Sequence, residues 1–301
     1  LQVRDLPSLL GPGDLLVVNE SRVIPARLRL QRATGGAAEV LLLEPLDERW
    51  RTWEALVRPA RRLKVGERLV AADGTAVVEL GGRTSAGDTF TLTLLGDDDA
   101  PALLERLGEM PLPPYITAPL ASADRYQTVY ADRPGSAAAP TAGLHFTPEL
   151  LAELEHVGVG LARVELVVGL DTFQPISTAD PRQHRIHTER YRVPASVMEC
   201  ASRAQRVVAV GTTVVRALES AAVTGQLEGR TDLYIHRGYE WRVVDLLMTN
   251  FHLPRTTLLL MIEAFIGPRW RRLYETALAE GYRFLSFGDA MLLDRHLQAD
   301  A

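Results

Sequence analysis

The sequence predicts an α/β domain with a partly parallel sheet, together with a small inserted all-β barrel domain. Three observations lead there. Between residues 27 and 95, short strand patterns recur every ~8–12 residues, the spacing of small sandwiches and barrels. From residue 147 onward strands and helices alternate, which argues for a sheet that is at least partly parallel. Leu15-Leu16-Val17-Val18 is an unbroken apolar run, as a strand covered on both faces requires. The expected division assigns 1–26 and 110–301 to a discontinuous α/β domain and 27–109 to the barrel.

The elements follow in order. Asp14 opens the first strand, over 14–18. Barrel strands are expected at 26–30, 39–43, 53–57, 67–70, 76–80 and 90–94. Gly35-Gly36, Asp73-Gly74, Gly81-Gly82 and Gly87-Asp88 punctuate them as turns. A helix over 101–107 stops at Gly108, a residue suited to ending a helix. Residues 110–147 are Pro-rich and lack periodicity, and stretches of this length without clear elements are often functional. Thr147-Pro148-Glu149 then starts a helix with proline in its first turn. The remaining pattern predicts a strand at 159–168, a helix at 196–205, a strand at 206–210 and a helix at 212–222. A strand pair at 231–236 and 241–248 is expected around Gly238, then helices at 256–265 and 269–279 and a last strand at 284–287.

Composition narrows the function classes. With 47% apolar and 24% charged residues, the chain has an ordinary globular make-up. Its one cysteine, Cys200, excludes an intrachain disulfide and fits a reducing, cytoplasmic setting. Several-thiolate zinc sites are excluded too. No apolar run reaches the ~20 residues that span a bilayer, so no membrane association is expected. Arg4 and Asp5 do not suit a signal peptide, and Leu1 at the start suggests a trimmed or partial sequence. Net charge is −5, from 33 basic and 38 acidic residues, which excludes a charge-driven nucleic-acid binder of the histone kind. A local basic face is still available: Arg58, Arg61, Arg62 and Lys64 fall close together with no acid among them. Arg269, Arg271 and Arg272 form a second cluster. Either run also suits plain solvated surface.

Four segments carry candidate chemistry. Val210-Gly211-Thr212-Thr213 joins a strand to a helix, where free N–H groups favour an anion; Thr capping is the structural alternative. Arg216 and Glu219, three apart, share a helix face. Thr249-Asn250-Phe251-His252 lies at a strand end, where open α/β sheets bind ligands. Polar Asn250 and His252 around Phe251 suit recognition of a base, and a connecting loop is the other reading. In Pro140-Thr141-Ala142-Gly143-Leu144-His145 the small residues allow close backbone approach, and His145 is a candidate acid/base group or a packed histidine. His184, His187 and Glu189 could ligate a metal, but their spacing matches no zinc helix and arginines surround them. Acid/base or phosphate contact is the expectation there, and no metal is expected. Gly11-Pro12-Gly13 precedes a strand instead of following one, and no Walker A sequence occurs, so neither a Rossmann methyltransferase nor a dehydrogenase is supported.

Taken in order, the segments read GDLLVVNESRVIPARL (13–28), MPLPPYI (110–116), RYQTVYA (125–131), AAAPTAGLHFT (137–147), TFQPI (172–176), HRIHTE (184–189), VVAVGTTVVRALES (207–220), VVDLLMTNFHLPRTTLLLMIEAF (243–265) and YRFLSFGDAMLL (282–293). This ordered set resembles the S-adenosylmethionine:tRNA ribosyltransferase-isomerase family of queuosine biosynthesis over nearly the whole chain. The resemblance implies an α/β domain carrying a small β-barrel. It implies transfer of the ribosyl part of S-adenosylmethionine to 7-aminomethyl-7-deazaguanine at the tRNA wobble position, with isomerisation to epoxyqueuosine-tRNA and release of adenine and methionine. S-adenosylmethionine is then a substrate, no cofactor is needed, and the precursor tRNA is the partner of a chain expected to be monomeric.

Within that implied reaction, His145, Thr141, His252 and Glu263 are the candidate catalytic residues. Gly143, Gly211, Thr212, Thr213, Arg216, Asn250, Phe251, His184 and His187 are the candidate substrate contacts. Glu263 or Glu219 would pair with a cationic amine, and Arg58, Arg61, Arg62 and Lys64 would meet tRNA. The chain departs from the family pattern His-Val-Gly-x-Gly-Thr-Phe at Val167 and Asp171, and the family usually has a further segment before Leu1. A tRNA-binding relative that has lost the isomerisation is therefore the second reading.

Overall fold

Strand β1 (Asp14–Asn19) is buried at every position, as its apolar run requires. The computed structural model describes residues 1–85, 87–118, 120–169, 186 and 188–297. After β1 come β2 (Ser21–Val23) and the barrel strands β3 (Arg27–Arg32), β4 (Ala37–Pro45), β5 (Thr52–Arg58), β6 (Arg68–Val70), β7 (Ala76–Arg83) and β8 (Phe90–Leu94). Helix α1 (Ala100–Leu107), β9 (Gly108–Glu109) and β10 (Arg133–Ser136) follow. The α/β part continues with α2 (Pro148–His156), β11 (Gly160–Leu166), β12 (Glu189–Arg192), α3 (Ala195–Arg203), β13 (Arg206–Val210) and α4 (Thr212–Thr224). It ends with β14 (Glu228–Thr231), β15 (Leu246–Asn250), α5 (Thr257–Ile266), α6 (Arg269–Ala279) and β16 (Ala290–Asp294).

The chain divides into two units. One comprises Leu1–Ser21, Asp124–Arg133 and Pro140–Ala301; the other comprises Arg22–Ala123 and Pro134–Ala139. The second unit thus takes in 22–26, 110–123 and 134–139, which the division expected from the sequence assigns to the α/β part.

In the second unit, antiparallel pairing runs β4-β5-β8-β7-β6-β3 and closes from β3 back to β4, so six strands make a barrel. Closure removes the free sheet edges. Alternate residues fill the interior: Leu28, Val40, Leu42, Trp53, Ala55, Leu69, Val78 and Leu92 are at most 1% exposed. The register shifts between Leu80 and Arg83, and the bend is tight. A side chain at Gly81 would put its Cβ 2.2 Å from Thr91 Oγ1. Helix α1 is capped by Asp99, whose carboxylate accepts from Ala102 N–H at 2.8 Å.

In the first unit the described strands order as β14-β12-β11-β1-β13-β15-β16. Strands β11, β1, β13 and β15 are parallel, and β12, β14 and β16 add antiparallel edges. From β1 the chain returns on one side, as β11. From β13 it continues on the other, to β15. The connections therefore part between β1 and β13, and the carboxyl ends there are where such sheets form ligand crevices. One face carries Leu16, Val18, Val208, Val210, Leu246 and Met248, packed with Tyr130, Ala142, Phe146, Leu150 and Leu154. Burial of the Phe146 side chain contributes roughly 2–3 kcal/mol and anchors the segment just ahead of α2.

Two sequence expectations are corrected. Residues 231–236 and 241–248 do not form a hairpin; β14 ends at Thr231 and β15 begins at Leu246, with irregular chain between them. The last strand is Ala290–Asp294, paired with β15, and 284–287 is not a strand. Phe284 instead packs against Phe251 and Tyr274.

Candidate active site

Four short pieces meet at the carboxyl ends of β1, β13 and β15, where such sheets form ligand crevices. The turn after β13 is Gly211, whose φ of 91° lies in a region that favours glycine. Its N–H donates to Met248 C=O at 2.7 Å, tying β13 to β15. Helix α4 starts immediately, and no side chain caps it. The first bond along the helix is Val215 N–H to Gly211 C=O at 3.3 Å. The N–H groups of Thr212, Thr213 and Val214 precede that bond, so they have no acceptor within the helix. Both threonines are buried, at 7% and 8% exposure, so this is a sheltered helix start with aligned donors.

The second piece is Asn19, which ends β1 and is fully buried. Its Oδ1 accepts from Leu166 N–H and Ser21 N–H, both at 3.1 Å. Its Nδ2 donates to Leu166 C=O at 2.9 Å and to Thr213 Oγ1 at 3.5 Å. Asn19 therefore joins β11 to the start of α4. The sequence reading missed it. A lone Asn closing an apolar strand at the sheet's carboxyl edge was the available signal.

The third piece is a short 3₁₀ turn, Thr141–His145, held down by Ala142 and Phe146. A Cβ on Gly143 would fall 2.0 Å from Tyr130 Oη and 2.8 Å from Thr128 Cγ2. The close approach that glycine permits here is therefore made by the protein's own side chains. The fourth piece is Asn250, closing β15 at 2% exposure. Thr141 Oγ1 donates to Asn250 Oδ1 at 3.0 Å, and Asn250 Nδ2 lies 3.0 Å from His145 Nε2. Asn250 Nδ2 also reaches Asp289 C=O at 3.4 Å. Burial chiefly lowers the His145 pKa; Asp289 opposes that shift and Arg283 adds to it. His145 is accordingly neutral near pH 7.

The structure thus brings together Thr141, Gly143, His145 and Asn250, and separately Gly211, Thr212 and Thr213 with Asn19. The other candidates have partners within the fold. Phe251 is buried among Tyr274, Tyr282 and Phe284. His252 Nε2 lies 3.0 Å from Thr249 Oγ1, the His252 backbone N–H donates to Tyr274 Oη at 3.0 Å, and burial pushes the imidazole pKa down to about 4. Glu263 pairs with Arg271 at 3.5 Å. Arg216 is buried against Glu189 and donates to Thr231 C=O at 3.2 Å. Glu189 Oε1 in turn accepts from Gly169 N–H at 3.0 Å.

Glu219 is fully buried. It accepts from Tyr239 Oη at 2.9 Å and from the N–H groups of Arg242, Val243 and Val244, each at 3.0 Å. Those four donors occupy the carboxylate within the fold. His184, His187 and Asp171 lie outside the described residues. Among the described residues, no group of three or more His, Cys, Asp and Glu could hold a metal.

The basic candidates belong to the barrel unit. Arg58, Arg61, Arg62 and Lys64 are exposed at the end of β5 and in the loop after it; among the described residues none closes an ion pair, and Lys64 acts on Glu67 only through its charge. Among the described residues, no helix is long and apolar enough to cross a membrane.

Comparison with known proteins turns this geometry into a lineage. A family model described as queuosine biosynthesis protein matches residues 1–293. The chain belongs to that family. A Rubrobacter xylanophilus relative named S-adenosylmethionine:tRNA ribosyltransferase-isomerase is 53% identical, the match covering 96% of this chain and 85% of the relative. A relative of the same name from Thermus thermophilus is 51% identical, over 97% of this chain and 87% of its own length. A crystal structure of the S-adenosylmethionine tRNA ribosyltransferase from Thermotoga maritima is 37% identical, with a TM-score of 0.49 over 96% of this chain and 85% of that one. The family match spans every piece of the crevice, from Asn19 to Asp289.

Proposed function

We propose that this chain is an S-adenosylmethionine:tRNA ribosyltransferase-isomerase of queuosine biosynthesis. It moves the ribosyl part of S-adenosylmethionine onto 7-aminomethyl-7-deazaguanine at the tRNA wobble position, isomerises it to the epoxide of epoxyqueuosine, and releases adenine and methionine. The observation that carries this reading is the match to the queuosine family over residues 1–293, with relatives above 50% identity bearing that name.

The chemistry asks for an anion site for the methionine carboxylate, a donor to the departing purine and a base for the acidic proton beside the sulfonium. The uncapped start of α4 at Gly211, Thr212 and Thr213 suits the carboxylate. The Thr141–Asn250–His145 cluster suits the purine and ribose. The exposed Arg58, Arg61, Arg62 and Lys64 suit tRNA phosphates. S-adenosylmethionine is consumed as substrate, with no cofactor or metal, by a monomer acting in the cytoplasm.

Incubation with S-adenosylmethionine and precursor tRNA tests the proposal. Free adenine and methionine should appear together, with epoxyqueuosine in the digested tRNA. S-adenosylhomocysteine as the product would overturn it. Retention of precursor tRNA without adenine release would instead favour the binding-only relative that the Val167 and Asp171 departures suggest.

A further inference from the structure

The Asn250 amide has two possible orientations, and its surroundings select one. As placed, Oδ1 faces the Thr141 hydroxyl, while Nδ2 faces both His145 Nε2 and Asp289 C=O. The flipped amide would set its oxygen against the Asp289 carbonyl oxygen at 3.4 Å, two acceptors with no proton between them. The Thr141 hydroxyl can rotate to donate or accept, so it permits either orientation. The Asp289 carbonyl cannot, and it decides. With Nδ2 as donor, His145 Nε2 must be the acceptor.

The imidazole proton then sits on Nδ1. Among the described residues no protein group bonds that nitrogen, and His145 is only half-buried. We infer that Asn250 is a positioning residue that holds His145 as the Nδ1–H tautomer, making His145 a hydrogen-bond donor to substrate and not a base at Nε2. The Asp289 carbonyl acts one step further out, by fixing which way the Asn250 amide faces. Protonating Nε2 would bring two N–H groups together, so the same contact resists the imidazolium form. The charged groups facing His145 are Asp289 and Arg283, which oppose each other in their effect on it. A neutral N–H donor suits a purine nitrogen that gains electron density as its bond to ribose breaks. This assignment rests on the ribosyltransferase reading, but the tautomer can be read without any substrate.

The full chain, labelled with ¹⁵N in its histidine rings, is examined by long-range proton–nitrogen correlation. His145→Gln identifies the His145 signals among the seven histidines. Wild type should show a pyridine-like Nε2 and a protonated Nδ1. Asn250→Asp replaces the donor with a carboxylate, so the proton should move to Nε2, the His145 pKa should rise, and adenine release should slow by about 10²-fold with little change in KM for S-adenosylmethionine. Should Asn250→Asp fail to fold, Asn250→Ala removes the donor to Nε2 and should give mixed tautomers. A protonated Nε2 in wild type would overturn the inference, as would a His145 spectrum that neither Asn250→Asp nor Asn250→Ala changes. Wild type that releases no adenine but shows the Nδ1–H tautomer would defeat the function reading and leave this one standing.

Discussion

The two units use polar residues in opposite ways. In the barrel unit Arg58, Arg61, Arg62 and Lys64 stay at the surface, and none closes an ion pair among the described residues. In the α/β unit Asn19, Glu189, Arg216, Glu219 and Asn250 are all buried, and each is held by hydrogen bonds that cross the sheet or close a loop. An isolated buried carboxylate is strongly disfavoured, so Glu219 is tolerated only because it caps three N–H groups in 242–244. A polar residue at the end of a strand or on a helix face can thus belong to either of two classes. It serves the crevice, as His145 is proposed to do, or it fastens the chain, as Glu219 does.

The sharpest way to break this division is to remove one residue of each class. Glu219→Ala strands three buried N–H groups and the Tyr239 hydroxyl. It should lower folding stability by about 3 kcal/mol, read as a shift of the urea midpoint, while the folded fraction keeps its turnover. His145→Ala should leave the urea midpoint nearly unchanged and reduce single-turnover adenine release by about 10²–10⁴-fold. If Glu219→Ala were stable but inactive, Glu219 would belong to the crevice and the division would fail.

The barrel side of the comparison is sharpened by charge. Replacing Arg58, Arg61, Arg62 and Lys64 together by Ala should leave the melting temperature within a degree or two, since no ion pair is lost. The slope of log affinity for tRNA against log salt should flatten by about 3. Binding of S-adenosylmethionine should not change. An unaltered slope would return the cluster to the class of solvated surface.

The sequence revealed these regions to different depths. Barrel strands were legible to within three residues because inward and outward positions alternate and glycines mark the turns; 53–57, for example, lies inside Thr52–Arg58. Strand β13 was legible to the residue, since Arg206–Val210 is a short apolar run closed by Gly211. The supposed hairpin around Gly238 was not legible, because what shapes 239–244 is a carboxylate twenty or more residues earlier in the chain. Residues 284–287 looked like a strand through their aromatic and apolar content, but Phe284 is spent on the Phe251 cluster. At the site, His145 and Asn250 could each be singled out, yet their 3.0 Å contact joins positions 105 residues apart and has no local periodicity to announce it.

The remaining prediction uses acid to separate the units. All seven histidines lie outside residues 22–139, so the barrel unit has no group of that kind to titrate. In the α/β unit burial pushes His252 from 6.5 down to about 4, and His145 is lowered as well. A lowered histidine pKa means that the unfolded chain takes up its proton first as pH falls. Stability is therefore complete above pH 6.5 and is lost as pH falls from there toward 4. From pH 7.5 to 5.5 the His252 contribution is about 1 kcal/mol. Hydrogen exchange, corrected for intrinsic rates, should show β13 and β15 losing protection over that interval while β5 and β8 keep theirs. His252→Gln, which retains a partner for Thr249, should remove most of the loss in the α/β strands. Equal loss in both units, or a loss that His252→Gln leaves intact, would mean that the buried imidazole does not set the acid response.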